Sequence, residues 1–260
     1  MALTLGYWSI RGLGGHLRIF LNYLEVPFVD KTYTTGDEWF GEKFSLGFDF
    51  PNIPYLIDGD LKITQSLTIL RYLGRKFGKA PADERQQVRV EQFEQEAVDL
   101  RLSVIRVAYD HANYDKSRAD WLESSKVKLA QLDKAIGKGP WILGQQITYA
   151  DFLLYDALDF VRLFNPGQLD SYANLQKFIL RLEALPSVKA YIESPDFKRI
   201  PVRLFHFFSF LVLISFFCSS FHRSLVRWPN GQAPNKVWSS RLRSIDWFFK
   251  HPNLPKLIVY

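Results

Sequence analysis

Hydrophobic residues change period twice along this chain. Leu3–Trp8 is a short β-favouring apolar run that breaks at Gly12, Gly14 and Gly15. Leu17, Ile19, Phe20, Leu21 and Leu24 then recur at helical spacing, which predicts a helix near Gly15–Glu25. Further short strands are expected near Phe28–Tyr33, Tyr55–Ile57 and Leu61–Ile63, followed by a helix near Ser66–Phe77. Strands of this length around a proline-bounded turn predict a mixed sheet. After the turn-rich stretch Phe77–Ala82 the period becomes helical throughout. Val88, Phe93, Ala97, Leu100, Val104 and Val107 mark one face of a long helix, and Trp121–Ile136 gives another, stopped by Gly137-Lys-Gly-Pro140. Thr148-Tyr-Ala-Asp151 has the form of a capping box with Asp for Glu, opening a strongly apolar helix. Its expected role is structural.

The expected organisation is therefore an α/β domain over 1–78, a linker over 79–82 and an all-helical domain over 83–200. The last sixty residues are different in kind. Leu204–His222 carries seven phenylalanines and no Asp, Glu, Lys or Arg, with Arg203 and Arg223 at its ends. Its length and flanking charges come near those of a membrane span. Its Phe, Ser and Leu richness, from pyrimidine-rich codons, instead favours translated non-coding sequence, ahead of a buried helix and of an anchor.

Composition bounds the chemistry. The chain of 260 residues is long enough to bury a full core. One cysteine, Cys218, excludes an internal disulfide framework and fits a reducing, cytoplasmic setting, as does a strand that starts directly at Met1-Ala2-Leu3. The five histidines are scattered, and no Cys/His spacing suggests a metal site. The net charge of +6 comes from the tail, where eight Lys/Arg face the single acid Asp246. Residues 1–200 hold 25 basic and 26 acidic side chains, so the main body gives no sign of a nucleic-acid surface.

Tyr7 is the first candidate for chemistry. It sits near the end of the first strand, beside a glycine-marked turn, where open α/β sheets bind ligands. Its hydroxyl can donate to an anion, although strand-borne Tyr-Trp pairs are usually core. Gln65-Ser66 stands at a helix start, where free N–H groups favour a carboxylate and where a serine also serves as an N-cap.

The N-terminal run, Phe50-Pro-Asn-Ile-Pro-Tyr55 leading into Leu-Ile-Asp-Gly59, Lys62-Ile-Thr-Gln-Ser66 and Ile147-Thr-Tyr-Ala-Asp-Phe152 together resemble the cytosolic glutathione transferases, the mu class in particular. The resemblance covers about residues 1–200 and does not extend to 201–260. It implies a thioredoxin-like N-terminal domain followed by an all-helical C-terminal domain, a homodimer, no cofactor beyond glutathione as co-substrate, and conjugation of glutathione to electrophilic, mostly apolar small molecules. A non-catalytic ligand carrier and a glutathione-dependent isomerase are the alternatives; retention of Tyr7, Pro54, Gln65 and Ser66 speaks against the carrier.

The same resemblance assigns roles. Tyr7 would donate its hydroxyl to the glutathione sulfur. Pro54 would be a cis-proline presenting the Ile53 backbone to the cysteinyl part of the tripeptide, like an added strand. Gln65 and Ser66 would hold the γ-glutamyl carboxylate. Trp8, Trp39, Lys43 and Asn52 would surround the glycyl end, although the loop before Trp39 is shorter than is usual in that class. Asp99 would reach the γ-glutamyl amine across the dimer interface. Leu13 and Tyr109 would border the electrophile, Phe50 would wedge into the partner subunit, and Arg71 near Glu91 would be an interface arginine. Tyr23, Tyr33 and Tyr55 read as structural.

Overall fold

A computed structural model describes residues 2–197, so the Phe-rich run Leu204–His222 lies outside the described residues. Four strands form one sheet: β1 (Leu3–Trp8), β2 (Phe28–Tyr33), β3 (Tyr55–Asp58) and β4 (Leu61–Thr64), in the order β2-β1-β3-β4. β1 and β2 are parallel, and the other pairs are antiparallel. This is the mixed sheet that the short strands predict.

The helices are α1 (Gly15–Tyr23), α2 (Gly36–Glu42), α3 (Ser66–Lys76), α4 (Glu84–Tyr109), α5 (Tyr114–Ile136), α6 (Tyr149–Phe164), α7 (Ala173–Glu183) and α8 (Pro186–Glu193). A 3-10 turn over Gly12–Gly14 leads into α1. Beyond α7 and α8, for which the sequence reading predicts nothing, three features differ from it. α1 ends at Tyr23 because Glu25 takes a left-handed φ of 52°, which no helix continues through. α5 starts at Tyr114 rather than Trp121, because its first turns are polar and carry no hydrophobic period. α2 is a helix where none is expected. Its signal is local: Thr35 and Glu38 form a reciprocal capping box that satisfies the first amides.

α6 is the central element, buried from Tyr149 to Val161 and packed against α4 and α1. Its capping box is present, and Asp151 accepts hydrogen bonds from the Thr148 N–H at 2.7 Å and from the Ile142 N–H at 2.9 Å. The carboxylate thus fixes the helix start to the loop before it. Burial pushes its pKa up to about 6, against those hydrogen bonds. The sheet-facing side of α1 and the apolar sides of α4 and α6 share one continuous core, from Leu3 and Leu5 to Leu182 and Val188.

Candidate active site

Strand register brings the candidate residues together. Gly6 pairs with Tyr55 on one side of β3, and Tyr55 pairs with Thr64 on the other. One residue further along each strand, Tyr7, Pro54 and Gln65 fall at the same end of the sheet. Ile53 and Ser66 follow one step beyond. Three segments far apart in sequence therefore meet at one sheet end, by the period-two geometry of paired strands.

Tyr7 is 5% exposed and belongs to a buried aromatic cluster with Tyr33, Trp39, Phe48, Ile53 and Tyr55, flanked by Trp8 and Leu13. Its hydroxyl oxygen accepts a hydrogen bond from the Leu13 backbone N–H at 2.9 Å. The phenolic hydrogen is then left to point at a ligand. Burial pushes the Tyr7 pKa up; the Leu13 hydrogen bond and the charges of Arg101 and Arg18 oppose this without cancelling it. Tyr7 is accordingly a neutral donor at pH 7.

Glycines make this placement feasible. A Cβ on Gly12 would lie 2.6 Å from the Tyr7 hydroxyl, and one on Gly14 would lie 2.6 Å from the Tyr7 ring. Gly12 also has a φ of 37°, in the region that favours glycine. The turn can therefore close over the tyrosine only without side chains at these positions.

The Ile53–Pro54 peptide is cis. Both residues are buried, and the Ile53 N–H donates to the side-chain carbonyl of Asn52 at 2.9 Å. Gln65 stands at the α3 N-terminus with a φ of 74°, a strained backbone for a residue other than glycine. Its side chain is exposed, whereas Ser66 is half-buried at the first helical position. Backbone strain of this kind concentrates where a ligand or a turn requires it.

Trp39 shares the buried Tyr7 cluster, whereas Lys43, Asp99, Tyr109 and Phe50 lie outside it. Trp39 is 3% exposed and lies edge-on to Tyr33 and stacked with Tyr55, at 5.4 and 6.2 Å between ring centroids. It is packed as core. The Lys43 ammonium lies 5.3 Å from the centre of the Phe44 ring. Asp99 is exposed on α4 and makes no hydrogen bond or ion pair among the described residues. Tyr109 ends α4, is 45% exposed, lies edge-on to His111 and adds a small field at Tyr7. Phe50 is 78% exposed. Tyr33 and Tyr55 are joined hydroxyl to hydroxyl at 2.8 Å inside the cluster, as befits structural residues. Arg71 pairs through two hydrogen bonds with the fully buried Glu94, at 2.7 and 3.0 Å, and Glu91 lies near enough to add to the field at its guanidinium.

The sequence reading misses a buried polar cluster behind the tyrosine. Arg11 is 1% exposed, donates to Asp156 at 2.7 Å and pairs with Asp159, both on α6. Arg101, on α4, donates to the Nδ1 of His16 at 3.0 Å and lies 3.4 Å from Asp156. Arg18 donates to the carbonyls of Ile10 and Trp8 at 2.7 and 3.2 Å and to Asp30 at 2.9 Å, with its guanidinium 5.8 Å from the Tyr7 ring centre. The available signal is two aspartates, Asp156 and Asp159, inside the otherwise apolar stretch Phe152–Val161, since buried charges require partners.

Residues 3–75 match the family described as glutathione S-transferase, N-terminal domain, and residues 98–195 match its C-terminal domain; neither match runs past residue 195. The chain is 44% identical over 211 residues to glutathione S-transferase Mu 1 of Oryctolagus cuniculus, covering 78% of this chain and 96% of that protein. It is 44% identical over 209 residues to glutathione S-transferase Mu 2 of Rattus norvegicus, covering 78% and 95%. Among solved structures, the glutathione S-transferase Blo t 8 superposes with a TM-score of 0.71 at 35% identity, over 76% of this chain and 94% of that one. The Pi-class enzyme of Onchocerca volvulus gives 0.71 at 31% identity, over 78% and 98%.

Proposed function

This chain belongs to the glutathione S-transferase family, and from that premise we propose how its own residues perform the reaction. The activity is conjugation of glutathione: the tripeptide's sulfur forms a bond to an electrophilic small molecule. The observation that carries the mechanism is the Leu13 N–H bound to the Tyr7 oxygen at 2.9 Å.

A free thiol has a pKa of about 8.5, so little thiolate exists at neutral pH unless something stabilises it. Tyr7 keeps its proton, because burial holds its pKa above the ordinary tyrosine value. It therefore donates a hydrogen bond to the sulfur, and the thiol proton leaves to solvent. The thiolate then attacks the electrophilic carbon, a carbon–sulfur bond forms, and a leaving group such as chloride departs with the bonding electrons. A neutral donor stabilises the anion without the permanent counter-charge that would blunt its nucleophilicity.

Glutathione would lie along the end of the sheet. Its cysteinyl backbone pairs with Ile53 as an added strand, displacing the Asn52 side chain from the Ile53 N–H; Pro54 backs that segment. The γ-glutamyl carboxylate meets Ser66 and Gln65 at the α3 N-terminus, where amides and helix dipole favour an anion. The glycyl end lies towards Trp8, Lys43 and Asn52, with Trp39 supporting the floor from within. Leu13 and Tyr109 border the electrophile. Phe50, exposed here, fits a dimer in which it enters the partner subunit, and Asp99 reaches the γ-glutamyl amine of the partner's ligand. A homodimer in the cytoplasm is the state in which this works. Among the described residues no helix is long and apolar enough to cross a membrane.

The test is direct. The purified chain is mixed with glutathione and 1-chloro-2,4-dinitrobenzene, and the thioether product is followed by absorbance against the uncatalysed rate. Enzyme-dependent product that disappears on omission of glutathione supports the reading. A rate equal to the uncatalysed background overturns it in favour of a carrier.

A further inference from the structure

The turn that carries Leu13 is held from behind by the helical part of the molecule. It runs Arg11-Gly12-Leu13-Gly14-Gly15 between β1 and α1. On its front, the Tyr7 ring lies 2.6 Å from where a Gly14 Cβ would be. On its back, Asp156 Oδ1 lies 2.9 Å and Arg11 Cγ 2.5 Å from where a Gly15 Cβ would be. Two adjacent glycines thus separate the tyrosine from a buried carboxylate on α6 by one thickness of backbone.

Asp156 also grips the other end of the turn. It receives the Arg11 Nε at 2.7 Å, and both side chains are almost fully buried. Its second oxygen faces Arg101 at 3.4 Å, and Arg101 in turn donates to His16, the residue after Gly15. Buried ion pairs of this kind are directional and expensive to break, which suits them to fixing a backbone rather than adding net stability. Both flanks of the five-residue turn are therefore referred to one carboxylate.

We propose that Asp156 is a positioning residue for conjugation: through Arg11 and the Gly15 backbone it sets the Leu13 N–H against the Tyr7 hydroxyl. That hydrogen bond fixes where the phenolic hydrogen points and how acidic it is. Asp156 would thus act on the stored thiolate without touching glutathione. The inference rests on Tyr7 being the donor to sulfur.

The experiment titrates the thiolate of bound glutathione by its ultraviolet absorbance against pH, in the wild type and in Asp156→Asn, Gly15→Ala and Tyr7→Phe. Asp156→Asn keeps the size and removes the charge. Gly15→Ala changes no charge and suits the helical φ of −58° at that position, so its only effect is to push Asp156 and Arg11 off the turn. Both variants should raise the midpoint by about one unit, a roughly tenfold loss of thiolate below it. Glutathione Kd, measured at a pH below both midpoints where the bound sulfur is protonated, should stay within about twofold, a few tenths of a kcal/mol, because none of its contacts is altered. A merely structural role would move melting and Kd together and leave the midpoint in place. If Asp156→Asn does not fold, Gly15→Ala decides. A folded variant with the wild-type midpoint, beside a Tyr7→Phe midpoint that has risen, overturns the role of Asp156. A Tyr7→Phe midpoint equal to wild type overturns the tyrosine reading itself.

Discussion

The side-chain carbonyl of Asn52 accepts the backbone N–H of Ile53 at 2.9 Å. Ile53 is buried within the Tyr7 cluster, and its N–H is the group a peptide ligand would need for strand-like pairing. The neighbouring side chain therefore satisfies a donor that would otherwise lack a partner, and a ligand must exchange with it.

Asn52→Asp should weaken glutathione binding. A carboxylate holds the Ile53 N–H more strongly than an amide does and repels the glycyl carboxylate nearby. The two effects share a sign and should cost about 1–2 kcal/mol together, roughly tenfold in the KM for glutathione. An unchanged KM would mean that Asn52 and Ile53 lie outside the binding path.

Tyr7→Phe removes one hydroxyl and preserves the ring that packs against Gly14. Loss of one donor to an anion typically costs about 10²–10³ in rate. The kcat at pH 6.5 should fall by about that factor and recover in part at high pH, where the thiol ionises unaided. A flat ratio of mutant to wild-type rates across pH would remove Tyr7 from thiolate stabilisation.

Gln65→Gly separates binding from stability. The left-handed φ of 74° at Gln65 costs nothing for glycine, so the melting temperature should rise, by a gain of about 1 kcal/mol. The side chain is lost at the same time, and the KM for glutathione should increase severalfold. A variant that binds normally would reduce Gln65 to a backbone role.

His16 should shape stability in mild acid. Its side chain is fully buried; desolvation first, then the charges of Arg101 and Arg11, hold its pKa well below the ordinary value. Below pH about 6.5 the unfolded histidine takes a proton that the folded one refuses. Stability is therefore lost as pH falls through that value, by up to about 1.4 kcal/mol per pH unit. His16→Gln keeps an acceptor for Arg101 and does not titrate. Urea midpoints between pH 5 and 7 should show a steeper acid slope for the wild type than for the variant. Asp151, pushed up to about 6, has the opposite sign, since its contribution falls as pH rises through that range. It is common to both proteins and cancels in the comparison.

Phe50→Glu should shift the protein towards monomer in sedimentation experiments, because an exposed phenylalanine offered to a partner subunit cannot be replaced by a charge without cost. Activity should fall with the dimer fraction if Asp99 serves the partner's glutathione. A fully dimeric Phe50→Glu protein would place the interface elsewhere.

Elements whose signal is local are readable from the sequence alone. Alternating apolar residues marked β1 and β2, helical periods marked α1, α3 and α4, and the Thr148–Asp151 box marked the start of α6. Tyr7, Gln65 and Ser66 stand at a strand end and a helix start, and the resemblance to the glutathione transferases adds Pro54 to them. α7 and α8 lie outside the sequence reading, as does α2, although its Thr35–Glu38 box is written in the chain. Only the fold shows that Trp39 packs into the Tyr7 cluster, that Arg71 reaches the buried Glu94, and that Asn52 covers Ile53. It also shows that Arg11, His16 and Arg101 gather around Asp156 behind Tyr7. Arg11 and Asp156 are 145 residues apart, and no spacing rule links them. A buried charge is indifferent to sequence distance: once the packing of α1, α4 and α6 removes water, each ionised group pairs with whatever opposite charge the fold has carried to it.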